Sequence, residues 1–263
     1  MTIPILILIG WMAMALVMAA LWFVQTKRHN AGIVDIAWSF GTGLLAIWFA
    51  IGVTGDSSRR LLVAILAGVW GARLGFYLLR RVMNEAEDGR YRMIRERFGA
   101  RTQLFLFWFF QIQAIWALMF AMPMLVAASH PVSGLHWHDY LGIVIWIIAI
   151  GGEALSDAQL ARFRADPTTQ GQVCQRGLWR YSRHPNYFFE WTHWFAYAFI
   201  AWGAPWWWVT FAGVAVMLLF LTKITGIPFT EMRALQSRGE AYREYQRTTS
   251  VFFPLPRRGQ GAG

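Results

Sequence analysis

Residues 104–128 read LFLFWFFQIQAIWALMFAMPMLVAA, an apolar run without a single charge. About 20 residues of helix cover the hydrocarbon core of a bilayer, so this run is long enough to cross one. Six further runs qualify on the same ground: 3–24, 31–53, 61–80, 139–160, 187–203 and 205–222. Seven spans joined by polar connections predict an all-α, polytopic membrane helical bundle. The last two runs are separated only by Gly203-Ala204-Pro205. A tight helical hairpin is expected there, with Trp206, Trp207 and Trp208 at its tip as part of an interfacial aromatic belt.

Composition agrees. Of 263 residues, 57% are hydrophobic and 14% charged, against about 25% charged in a soluble domain. No polar stretch is long enough to build such a domain, so one transmembrane domain is expected over 1–256. The Gly-rich end, 257–263, is expected to be disordered. The formal charge is +10, carried by 22 Arg and 2 Lys against 14 acidic residues. These Arg sit in short segments between apolar runs, which favours membrane topology and phosphate binding over nucleic acid. One cysteine, Cys174, excludes an internal disulfide framework and reads as an incidental thiol.

The basic residues also predict an orientation. They crowd the connections between spans three and four (Arg80 to Arg101) and between spans five and six (Arg162 to Arg183), and the C-terminal segment. The other side carries only Arg59 and Arg60, and 130–139 has neither Lys nor Arg. The positive-inside rule then places the N-terminus outside and the C-terminus in the cytoplasm, as an odd number of spans requires. The apolar run follows Met1 directly and its basic residues, Lys27 and Arg28, come after it. That order predicts a retained first span.

Ionisable groups inside spans are costly, so each is a functional candidate. Asp35 opens span two in VDIAW, and Arg73 lies within span three in VWGARLGFYLL. Pairing between these two is the structural alternative to a function for either. Glu153 and Asp157 are four apart in span five, and Arg164 follows seven after Asp157. If the helix continues past the membrane surface, all three share a face. That face offers acceptors suited to ribose hydroxyls and a forked donor suited to phosphate. A solvated face or an interhelical ion pair is the plainer reading of the same spacing.

The densest segment is Gly177–Trp194, GLWRYSRHPNYFFEWTHW. His184-Pro185 ends any preceding helix, and Pro185 sets the first turn of span six. The N–H groups of that turn, with Arg180 and Arg183 beside them, make an anion site. Asn186 and Glu190 are again four apart and point together into the bundle. His136 and His138 fall in an outer loop, and His184 and His193 lack any Cys or carboxylate at zinc-ligand spacing, so no metal site is expected. No Gly-rich phosphate loop, nucleophile elbow or dinucleotide fingerprint is present.

GLWRYSRHPNY resembles the signature shared by membrane steroid 5α-reductases, sterol reductases and S-isoprenylcysteine-type methyltransferases. VDIAW, LARFRADP and YREYQRTTSVFFP extend the resemblance over roughly Asp35 to Pro254, and the whole looks like a bacterial branch of the steroid 5α-reductase-like proteins. Methyltransferases of this group resemble RHPxYxG, whereas the reductases resemble NYxGE. Asn186, Tyr187 and Glu190 fit the reductase pattern, with Phe189 standing where the reductases have Gly.

The resemblance implies a membrane-embedded, NADPH-dependent reductase of a C=C bond in a lipid or steroid-like substrate. Glu153, Asp157, Arg164, Arg180, Arg183, His184, Asn186, Tyr187 and Glu190 would then hold cofactor. Asp35 and Tyr77 would serve the substrate end, Trp70 occupying the place of the reductases' third-span Tyr. The alternative is an S-adenosylmethionine-dependent methyltransferase, in which Arg183, His184, Glu231 and Arg233 contact the cofactor. A non-enzymatic membrane protein is the third reading, and it leaves Asn186 and Glu190 unexplained. An inner-membrane location is implied, with membrane lipids as surroundings and neither nucleic acid nor an obligatory protein partner.

Overall fold

The structure, a computed structural model, describes residues 1–257. The tail expected to be disordered lies, from residue 258 onward, outside the described residues. About 80% of the described residues are helical, and they form no strand. The helices are α1 (Ile3–Arg28), α2 (Ile33–Gly52), α3 (Ser57–Asn84), α4 (Gly89–Phe98), α5 (Thr102–Ala128), α6 (Trp137–Ala165), α7 (Pro185–Ile200), α8 (Thr210–Leu219), α9 (Ile227–Arg238) and α10 (Glu240–Thr248).

Among the described residues, six helical runs are long and apolar enough to cross a membrane. They are α1, α2, α3, the run ending in α5, α6, and the run beginning at Trp207. The seventh expected span, 187–203, differs. It is α7, with 16 residues, or about 24 Å at 1.5 Å per residue, against a hydrocarbon core of about 30 Å. Pro185 fixes its start. Its end is set by a turn containing two left-handed residues, Gly203 (φ 85°) and Trp206 (φ 65°).

The chain divides into two compact units: residues 1–139 with 200–213, and residues 140–199 with 214 onward. In the first unit, α2 is the central helix, with 61% of its apolar window buried against 22% for α1. Small residues let α2 and α3 touch backbone to backbone. A Cβ on Gly43 would lie 3.0 Å from the Ala67 carbonyl oxygen, and one on Gly71 would lie 2.9 Å from that of Ser39. Close contact of this kind is how helices gain packing where the surroundings are as apolar as the side chains. Trp38 then stands edge-on to both Trp70 and Phe120, filling the space beside the crossing.

In the second unit, α6 and α7 carry the polar residues singled out above. The run from Trp207 passes through a π-type turn, Phe220–Ile224. Beyond it, α9 and α10 form a polar pair whose inner faces bury Ala234, Tyr242 and Tyr245. The segment after α10 runs back along residues 181–184, with Ser182 and Ser250 in a parallel bridge.

Candidate functional site

Helix α6 continues unbroken to Ala165, so Glu153, Asp157 and Arg164 do lie on one helix. Helix α7 starts at Pro185, as the X-Pro step dictates. The two helices meet closely: a Cβ on Gly152 would lie 2.4 Å from the Phe189 ring. Gly152 thus provides the space that lets an aromatic side chain stand at Phe189. One turn away, the Asn186 side-chain amide donates to Asp157 Oδ1 at 3.1 Å. Glu153, a turn before Asp157, is 5% exposed, and Glu190, a turn after Asn186, is 8% exposed. Glu190 Oε1 accepts from the Trp194 indole at 3.3 Å. Four polar residues named from the sequence therefore form one band on the α6–α7 pair. Arg164 and Arg180 are exposed at the surface of the same unit.

Arg183 and His184 are turned elsewhere, toward Glu231 on α9. Arg183 Nε donates to Glu231 Oε1 at 2.6 Å, and its Nη1 donates to the carbonyls of Gln246 (3.1 Å) and Thr249 (2.7 Å). His184 Nε2 lies 3.3 Å from the same carboxylate oxygen. A carboxylate only accepts, so this nitrogen carries the proton. Gln246 and Tyr242 complete the shell, at 2.8 and 3.4 Å. Burial would raise the Glu231 carboxyl, but the hydrogen bonds from His184 and Arg183 and the Arg183 charge prevail and hold it at about 2. Burial pushes His184 below its ordinary value, against the pull of Glu231, so it stays neutral. The His184 ring stacks on Tyr187, 5.4 Å between centroids, and the Tyr187 hydroxyl reaches Thr230 at 3.3 Å.

Around this hub the C-terminal segment is fastened down. Arg183 N–H donates to Ser250 O, Ser182 Oγ to Phe252 O, and Leu255 N–H to Tyr181 O. Tyr245, buried, donates to the carbonyls of Trp179 and Ser182. The methyltransferase alternative drew Glu231 into this neighbourhood, but its role as the common acceptor could not be read from sequence. Its partners lie 47 and 48 residues before it and 11 and 15 after it.

The substrate-end candidates lie in the other unit. Asp35 does not depend on Arg73: its two oxygens accept from Tyr91 Oη (2.9 Å) and Arg90 Nη2 (3.0 Å). Helix α4, which the apolar pattern did not reveal, carries both donors. A small cleft beside Asp35 is lined by Asn30, Gly32, Leu78, Arg81, Val82, Ala86 and Asp88. Asp88 is drawn below the usual carboxylate range, burial being outweighed by Arg90 and Arg81. Tyr77 is 40% exposed and not among these lining residues, so the cleft does not unite it with Asp35. Trp70 is fully buried.

Long apolar helices and a buried polar band define a polytopic membrane protein. The chain belongs to the family described as a protein of unknown function (DUF1295), which matches residues 21–249 and is associated with steroid 5α-reductase-like proteins. It is also similar to an uncharacterised protein of Schizosaccharomyces pombe, 26% identical over 268 residues, which cover 89% of this chain and 75% of that relative. No solved structure matches the chain.

Proposed function

We propose that this protein is a membrane-embedded, NADPH-dependent reductase acting on an activated C=C bond of a lipid or steroid-like substrate. The observation that carries the reading is the Asn186–Asp157 contact, flanked by buried Glu153 and Glu190. The donor set suits a dinucleotide: carboxylates accept from ribose hydroxyls, an amide matches a carboxamide, and the exposed Arg164 and Arg180 suit phosphates. When bound, NADPH supplies the hydride. Asp157 and Asn186 orient one another, and Glu190, buried beside Trp194, would lie at an end of the site with little access to water. In this reading the basic connections face the cytoplasm of a bacterial inner membrane and the N-terminus lies outside.

A second reading is favoured by a different observation, the meeting of Arg183, His184 and Glu231. An arginine beside a carboxylate suits the carboxyl and amino groups of S-adenosylmethionine, so a methyltransferase is the alternative. Side-by-side titration of the purified protein with NADPH and with S-adenosylmethionine separates the two. Saturable NADPH binding, weakened in Asn186→Ala and unaffected by S-adenosylmethionine, is expected. Saturable S-adenosylmethionine binding lost in Arg183→Ala, with no NADPH binding, would replace the first reading by the second. Binding of neither leaves a non-enzymatic protein.

A further inference from the structure

At one end of the first unit, three connections meet around a group of histidines that the proposed reaction does not use. His130, between α5 and α6, is 2% exposed, and its ring stacks on His138 with centroids 5.8 Å apart. His138 stacks in turn on His136 at the same separation. Both His130 ring nitrogens are engaged by backbone. The Val132 N–H donates to Nδ1 at 3.2 Å, and Nε2 lies 2.9 Å from the Trp202 carbonyl oxygen. A carbonyl only accepts, so Nε2 carries the single proton and the ring is neutral.

The remaining ties all involve the same connections. The His130 carbonyl accepts from Asp56 N–H at 3.0 Å, and Asp56 Oδ2 accepts from Gly134 N–H at 3.1 Å. Arg59 donates to the carbonyls of Val132 and Gly134, both at 2.8 Å, and pairs with Asp139, which also receives the His136 N–H. The charged and titratable groups facing His130 are thus Arg59 and Asp56 at the start of α3, and His138 and Asp139 at the start of α6. From residues 200–206 the Trp202 carbonyl meets the ring.

We infer that His130 is the acid-sensitive element of a latch joining residues 53–59, 129–138 and 201–206. A second proton has one place to go, Nδ1, which now accepts from Val132. Two N–H groups would then point at each other, and the imidazolium would lie beside Arg59 and on the face of His138. The hydrogen bond from Val132 breaks and the 131–136 connection loosens. Burial and the Arg59 and His138 charges pull His130 below its ordinary value, despite the Trp202 carbonyl and Asp139. The sign follows: a depressed histidine leaves the latch closed at neutral pH and opens it as pH falls below about 6.5.

Hydrogen exchange of the full-length protein in lipid nanodiscs tests this, with protection corrected for the pH dependence of intrinsic exchange. Peptides covering 131–136 and 202–207 are expected to lose protection between about pH 7.5 and about pH 5, by up to about tenfold per pH unit once pH falls below about 6.5. The α2 peptides should not change. His130→Gln should abolish the dependence, and His138→Gln, which removes an opposing charge, should move the midpoint to higher pH. A flat wild-type profile overturns the inference, as does a wild-type profile in His130→Gln. Should His130→Gln fail to fold, an unmoved midpoint in His138→Gln overturns it.

Discussion

Two arginines, Arg59 and Arg183, each tie a carboxylate to distant loops, yet they are built differently. Arg59 meets Asp139 through two donors, at 2.8 and 2.7 Å, with both side chains at 0% exposure. Its other donors go to loop carbonyls, so the pair is closed and its function is to hold shape. Arg183 shares Glu231 with a neutral histidine, a glutamine and a tyrosine, and the pair keeps 10% and 15% exposure. Four neighbours on one carboxylate make a junction that a ligand or a proton can re-partition. The first arrangement is what a buried ion pair needs to survive desolvation. The second is what a site looks like when structure and chemistry share residues.

The comparison breaks most sharply at the closed pair. Asp139→Ala strands a buried guanidinium, so a loss of about 3–5 kcal/mol is expected, read as a large drop in the thermal midpoint followed by circular dichroism in detergent. If Asp139→Ala unfolds no earlier than wild type, the closed pair is not structural.

Glu231→Ala should come next, at about 2–3 kcal/mol, because its donors retain some access to water. Limited proteolysis should show cleavage after α10 appearing before any in α2. Equal sensitivity of the two regions would mean that Glu231 does not fasten the C-terminal segment.

Acid should then distinguish the two carboxylates' surroundings further. Glu231 is depressed to about 2 on folding. Its contribution is therefore present above the unfolded value of about 4.3, and it is lost as pH falls from there through about 2. That loss amounts to roughly 2–3 kcal/mol. In Glu231→Gln this segment of the stability profile should be shallower by that amount, the remaining slope coming from other depressed carboxylates such as Asp88 and Asp56. A profile that keeps the wild-type slope would assign the acid sensitivity to another group.

The smallest effect is expected at the α6–α7 band. Asn186→Ala removes one hydrogen bond worth about 1 kcal/mol, yet should weaken NADPH binding by about tenfold, equivalent to about 1.4 kcal/mol. A stability loss without any change in the NADPH titration would make the Asn186–Asp157 contact structural only.

Much of this architecture was legible residue by residue. The uncharged run at 104–128 became α5, Pro185 opened α7, and α6 continued far enough to bring Arg164 onto the helix of Glu153 and Asp157. These features are local: hydropathy and proline geometry act within a few residues. The short α4 escaped notice because it is polar, and with it went the true partners of Asp35, Arg90 and Tyr91. The expected span 187–203 runs three residues past the end of α7 because apolar composition continues through Ala201 and Trp202, while the backbone turns there.

Sequence by itself determined that this chain is helical and apolar in long runs, and which residues carry charge into them. Desolvation makes those properties independent of what lies next to each helix. Only the tertiary structure decided that Asn186 meets Asp157, that Gly152 makes room for Phe189, and that Arg59 meets Asp139 while Arg183 meets Glu231. Those pairings depend on which helices pack against one another, and spacing along the chain does not specify that.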